Sequence, residues 1–173
     1  MNYSRINTAD ISNGPGVRVS LFVSGCSIRC PGCFNKDAWE FNCGELFTSE
    51  TAEGILKLLD QSYIKGLSIL GGEPFDQRDL EDLVSLVRKA KMLHPEKDIW
   101  IWTGYEFEQI KTSPLTRYID VAVCGRFILE QRDISSNNVY RGSRNQRVIN
   151  VQASLNSGKA VGVSDIPNNN DGE

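Results

Sequence analysis

Along this chain the spacing of apolar residues switches between two periods, and the switch repeats. The turn Asn13-Gly14-Pro15-Gly16 precedes Val17–Val23, a β-rich run that reads as a strand. A helix is predicted from Thr48–Ser49, either of which can cap it, to Gln61. Glu50 and Glu53 suit its first turn, and Ala52, Ile55, Leu56 and Leu59 form its apolar stripe. Gly66–Leu70 is a second strand, ending in Gly71-Gly72-Glu73-Pro74. Leu80, Leu83, Val84, Val87 and Ala90 mark a second helix, which His94-Pro95 terminates. Asp98–Trp102, a short helix over Glu106–Lys111, and strands at Ile119–Val123 and Gln146–Ala153 complete the pattern. This β-α-β-α order with short links predicts an α/β fold whose parallel strands are joined by right-handed crossovers.

A length of 173 residues suits one domain and falls short of the ~200 needed for a closed eight-stranded β/α barrel. From Asn156 onward the composition turns to Ser, Gly, Asn and Asp, which predicts a domain over residues 1–155 and a flexible tail over 156–173. Nineteen basic residues stand against 22 acidic ones, a net charge of −3. That balance argues against nucleic acid as a partner, because phosphate backbones call for a basic face. No run reaches the ~18 apolar residues of a membrane span, and Met1–Arg5 lacks the apolar stretch of a signal peptide. The expectation is a cytoplasmic protein with no membrane partner.

Three of the five cysteines lie within eight residues: Cys26-Ser-Ile-Arg-Cys30-Pro-Gly-Cys33, directly after the Val17–Val23 strand. Three chemistries fit that spacing. Structural zinc would recruit Cys43 as fourth ligand. Cys30-Pro-Gly-Cys33 could be a thiol–disulfide pair. An iron–sulfur cluster held by three cysteines would leave one iron open to a small molecule. A redox pair gives Cys26 no role, and zinc gives none to the glycine turn after the second strand. Both loops follow strands of a parallel sheet, at the ends where ligands bind in such folds.

The C-x3-C-x2-C loop followed by Gly71-Gly72-Glu73-Pro74 resembles the radical S-adenosylmethionine enzymes. Four further segments narrow the likeness: Asn13–Cys26, Cys30–Asn35, Asp98–Tyr105 and Arg141–Val148. Together they resemble the activating proteins of anaerobic (class III) ribonucleotide reductases, over residues 1 to 150. The resemblance implies an incomplete parallel β/α barrel and one 4Fe-4S cluster on Cys26, Cys30 and Cys33. It implies that S-adenosylmethionine chelates the open iron, with backbone groups of Gly71, Gly72, Glu73 and Pro74 at its amino end and Gly32 and Phe34, either side of Cys33, bordering the adenosyl group. Thr103 and Gly104, at the end of the Asp98–Trp102 strand, are further cofactor-site candidates. No side chain is implied as catalytic, since the cluster and S-adenosylmethionine carry the chemistry.

The implied reaction is reductive cleavage of S-adenosylmethionine and abstraction of hydrogen from a glycine Cα. The implied partners are the large glycyl-radical subunit of the reductase and a low-potential electron donor, flavodoxin-like or other. The oligomeric state is open, a homodimer included. Two departures from the family pattern stand out. Gly32, not an aromatic, precedes the third cysteine, and Cys124 stands where an acidic residue is usual. Rival readings are an activase of the pyruvate formate-lyase type, or a zinc-binding interaction module.

Other residues have plainer readings. Glu73 suits positioning better than acid–base chemistry. Trp100 and Trp102, at period two on a strand, read as core, and His94 as surface. Arg126, Arg132, Arg141, Arg144 and Arg147 read as a solvated face, with a docking surface for an acidic protein as the alternative.

Overall fold

The computed structural model describes residues 1–132 and 140–164. Seven strands form one sheet: β1 (Asn2–Asp10), β2 (Val17–Val23), β3 (Glu45–Leu46), β4 (Ile64–Gly71), β5 (Asp98–Thr103), β6 (Val121–Cys124) and β7 (Arg147–Asn150). The helices are α1 (Ser49–Leu59), α2 (Leu80–Leu93), α3 (Phe107–Ile110) and α4 (Val151–Ser157). The spatial order is β3-β1-β2-β4-β5-β6-β7.

The expected parallel pairing is present at the centre, where β2, β4, β5 and β6 run together. At the flanks it is replaced by antiparallel pairing of β1 with β2, β3 with β1, and β7 with β6. The expected incomplete parallel barrel is therefore seen as an open, mixed α/β sheet. β1 escaped the sequence reading because it has little apolar alternation: only Tyr3 and Ile6 join the core, and its cohesion comes from backbone pairing to β2.

The strand expected over Gln146–Ala153 is a correction too. It breaks at Asn150, whose Oδ1 accepts from the Ala153 N–H at 3.0 Å and caps α4. The chain then returns: the Asn150 N–H donates to the Val161 carbonyl at 2.8 Å, and Val163 N–H to the Val148 carbonyl at 3.1 Å. Residues 156–164 of the expected tail thus include the end of α4 and this return. Residues 165–173 lie outside the described residues.

Period-two alternation divides the central strands between two faces. Val19, Leu21, Val23, Leu67, Ile69, Ile99 and Ile101 form one core with the stripes of α1 and α2. Each such side chain contributes roughly 1.5–3 kcal/mol by burial. Thr48 caps α1, its hydroxyl accepting from the Thr51 N–H at 3.3 Å. The opposite face carries Arg18, Ser20, Phe22, Ser68, Leu70, Trp100 and Trp102. At its N-terminal edge Arg18 is fully buried, paired with Asp98 at 2.6 Å and donating from Nε to Ser68 Oγ at 2.7 Å. Towards the C-terminal ends of the strands this face opens.

Candidate functional site

A cavity of about 280 Å³ lies where β2, β4, β5 and β6 end. The parallel direction of these strands brings their four exit loops to the same place.

The exit of β2 is the cysteine loop. Cys26, Cys30 and Cys33 all line the cavity, with Cys30 nine-tenths buried. Backbone groups shape the loop: Cys33 N–H donates to the Cys30 carbonyl at 3.1 Å, and Asn35 N–H reaches Cys33 Sγ at 3.4 Å. Arg29 takes a positive φ of 48° and pairs with Glu40 at 2.9 Å. Burial pushes the Cys26 thiol up, while backbone N–H groups of Arg29 and Ile28 pull it down.

The other two cysteines stand elsewhere. Cys43 does not line the cavity. Cys124 is fully buried in the core beneath the helices, and burial pushes its thiol far above the ordinary range. Among the described residues, no three His, Cys, Asp or Glu side chains are drawn together closely enough to hold a single metal ion. The cysteine donors facing the cavity are three soft thiols without a histidine, a set that fits an iron–sulfur cluster.

The exit of β4 is the glycine turn, packed directly against the cysteine loop. Gly72 N–H donates to the Val23 carbonyl and Glu73 N–H to the Gly25 carbonyl, each at 2.7 Å. A Cβ on Gly72 would lie 2.3 Å from the Gly25 carbonyl oxygen, so no larger residue fits without moving the cysteine loop. The close approach that selects glycine here is to the chain's own backbone.

Glu73 ties this turn to the exit of β5. Its carboxylate accepts from Thr103 Oγ at 2.8 Å, Gly104 N–H at 2.8 Å and Phe75 N–H at 3.1 Å. The residue is 1% exposed, and burial raises its pKa to about 7 against the pull of those three donors. Pro74 begins a 3-10 turn to Asp76 and does not line the cavity.

Asp76 makes a second tie. One oxygen accepts from the Ser27 N–H at 2.7 Å and the Ser27 hydroxyl at 2.6 Å, and the other from the Tyr105 hydroxyl at 2.6 Å. Gln77 Nε2 donates to the carbonyls of Ser24, at 3.1 Å, and Glu73, at 2.9 Å. Glu73, Asp76 and Gln77 therefore join three strand exits into one unit. The sequence pointed to Glu73 but not to Asp76, Gln77, Ser27 or Tyr105, whose partners are distant along the chain.

Of the sequence-predicted residues, Cys26, Cys30, Cys33, Phe34, Gly71, Gly72, Glu73, Thr103 and Gly104 meet at the cavity. Gly32 faces Leu129, and Pro74 lies behind the turn. Phe34 stands at the mouth, 87% exposed. Trp100 is core, as its period suggests, but Trp102 is a cavity wall whose Nε1 donates to the Tyr140 carbonyl at 2.6 Å.

The late arginines do not share one face. Arg141 is buried in the cavity wall, and Arg147 pairs with Glu106 at 2.9 Å and Glu108 at 3.0 Å. Arg126, Arg132 and Arg144 are exposed. Beneath Arg141, Gln146 folds the wall by accepting from Gly142 N–H at 2.8 Å and donating to the Gly125 carbonyl at 2.8 Å. His94 caps the end of α2, away from the cavity. Among the described residues no helix is long and apolar enough to cross a membrane.

Comparison with known proteins adds two findings. Residues 12–149 match the family described as a 4Fe-4S single cluster domain. The anaerobic ribonucleoside-triphosphate reductase-activating protein of Enterobacteria phage T4 is 43% identical over 148 residues, covering 86% of this chain and 93% of the relative. The protein of the same name from Escherichia coli (strain K12) is 40% identical over 152 residues, 86% of this chain and 97% of the relative. That of Vibrio cholerae is 43% identical over 150 residues, 84% and 96% respectively.

Proposed function

The chain belongs to the anaerobic ribonucleoside-triphosphate reductase-activating proteins and carries their 4Fe-4S single cluster domain, and from this we propose that it is a radical S-adenosylmethionine activase. Its product is a glycyl radical on the large subunit of an anaerobic ribonucleotide reductase. In this reading the four parallel strands and their exit loops are the working part of an incomplete β/α barrel. The supporting observation is that three cysteines, the glycine turn and the end of β5 face one cavity.

Cys26, Cys30 and Cys33 hold the cluster, and Cys43 and Cys124 do not. A 4Fe-4S cluster held by these three thiolates would supply the one electron needed for reductive cleavage of S-adenosylmethionine. The chain's own residues set the stage. With the N–H groups of Gly72 and Glu73 spent on Val23 and Gly25, what the glycine turn can offer a cosubstrate is carbonyl oxygen, and that of Glu73 already accepts from Gln77 Nε2. An ammonium group only donates, so acceptors are what the amino end of the cosubstrate needs. Glu73 holds Thr103 and Gly104 at a fixed distance from that turn. Phe22, Leu70 and Trp102 supply apolar wall that keeps water from a reactive carbon. Glycine suits as the target because its Cα, without a side chain, can approach that carbon to van der Waals contact.

The ligand assignment is tested by replacing each cysteine with alanine and measuring iron and visible absorbance after anaerobic reconstitution. Cys26→Ala, Cys30→Ala and Cys33→Ala should each lose the cluster, and Cys43→Ala and Cys124→Ala should keep it. Loss in Cys43→Ala as complete as in Cys30→Ala would mean a four-cysteine site and would end the radical mechanism.

A further inference from the structure

Two large apolar side chains left in water stand at the cysteine loop beside the cavity. Phe34 lines it at 87% exposure. Leu129, 46% exposed, lies over Gly32, two residues away from Phe34 in the same loop: a methyl group on Gly32 would sit 2.9 Å from both Leu129 Cδ atoms. Ile11, 75% exposed, adjoins Ser12, which also lines the cavity.

The same rim is basic. Residues 126–132 run beside 143–145, joined by Arg144 N–H to the Gln131 carbonyl at 2.9 Å and Asn145 Nδ2 to the Arg126 carbonyl at 2.8 Å. Arg126 also donates to the Ile28 carbonyl at 2.5 Å, which fixes this ribbon to the cysteine loop. Arg132 and Arg144 on it are exposed. The exposed charges on this ribbon are therefore Arg126, Arg132 and Arg144 against Glu130, while Arg141 is buried and Arg147 is paired with Glu106 and Glu108.

We infer that this rim is the docking surface for the protein substrate, with Phe34 and Leu129 as apolar anchors and Arg132 and Arg144 as the charges that steer it. The inference rests on the proposed activase function. The occupant is a loop of the reductase that carries its glycine beside apolar side chains, on a surface that is acidic around the loop. An apolar patch beside a cavity, with Phe34 in the cavity lining and Leu129 against the same loop, is buried by something that enters the cavity. The three exposed arginines on the ribbon select an acidic partner, since complementary charge accelerates encounter and disfavours wrong partners.

The experiment compares the reconstituted full chain with two variants, Arg132→Glu/Arg144→Glu and Leu129→Ser. Affinity for the large reductase is measured anaerobically at low and high salt. Alongside it are measured iron content and 5′-deoxyadenosine formed with a chemical reductant in the absence of the reductase. The double reversal should weaken binding at low salt by about tenfold or more and abolish most of the salt dependence. Leu129→Ser should weaken it by about tenfold at either salt. Iron content and 5′-deoxyadenosine formation should stay unchanged in both.

Wild-type affinity in either variant, with the wild type still activating the reductase, overturns the docking surface and leaves the activase reading standing. If the substitutions instead break a dimer of this chain without touching reductase binding, the rim belongs to a second copy and the proposal is overturned. A wild-type chain that neither binds nor activates the reductase overturns both.

Discussion

Glu73 shows how one buried carboxylate makes this site pH-dependent. Burial raises its pKa from 4.5 to about 7, so the folded protein holds a proton that the unfolded chain releases. Its contribution to stability is therefore complete below pH 4.5 and is lost as pH rises through 7. The span amounts to about 3 kcal/mol. Among the described residues Asp10, Glu50 and Glu108 are shifted downward and act at lower pH, and Glu73 is the carboxyl raised into this window. Urea midpoints of the wild type should fall between pH 5 and 8, and those of Glu73→Gln should be flat across that range. A glutamine also turns an N–H towards one of three donors, so at pH 5 the variant should be less stable by about 1–3 kcal/mol. An unchanged pH profile in Glu73→Gln would show that Glu73 is ionised throughout. The sequence named this residue because it follows two glycines at a strand end. Asp76, Ser27 and Tyr105 had no such signature, because their bonds span 49 and 29 positions and depend on how exit loops meet.

The elements with strong periodicity were legible: α1, α2 and the central parallel strands all fall where apolar spacing places them. Elements held by backbone pairing were not. β1 is mostly polar, and α4 begins inside a run whose Arg-Val-Ile-Asn opening reads as strand. Trp100 and Trp102 share a face, and only their height along β5 makes one core and the other cavity wall. The chain's return after α4 is also an element-scale effect. Val151 and Ser154 are fully buried, and the Ser154 hydroxyl donates to the Asn150 carbonyl at 2.6 Å and accepts from the Val161 N–H at 2.8 Å. A chain ending at Ala153 loses these bonds, each worth about 1 kcal/mol. It should melt roughly 5–10 °C below a chain ending at Ser164. Equal melting temperatures would mean that α4 and the return add nothing to the fold.

At the scale of the molecule, one open sheet with four parallel strands delivers its chemistry to one end. Arg18 and Asp98 fill the N-terminal edge, helices cover one face, and the cavity takes the C-terminal edge of the other. The cysteine spacing and the glycine turn were legible in the sequence as a candidate site, and the structure brings both to one cavity. The shape of the cavity mouth was not legible, because it is assembled from three segments that are far apart along the chain. A site this open at its mouth suits a partner's backbone. Electron paramagnetic resonance on the reduced, reconstituted chain, mixed anaerobically with S-adenosylmethionine and the large reductase, reads that reaction directly. A stable glycyl radical signal should appear on the reductase and vanish when the reductase's target glycine is changed to alanine. Formation of 5′-deoxyadenosine together with a small-molecule product, and no radical on the reductase, would contradict the activase function.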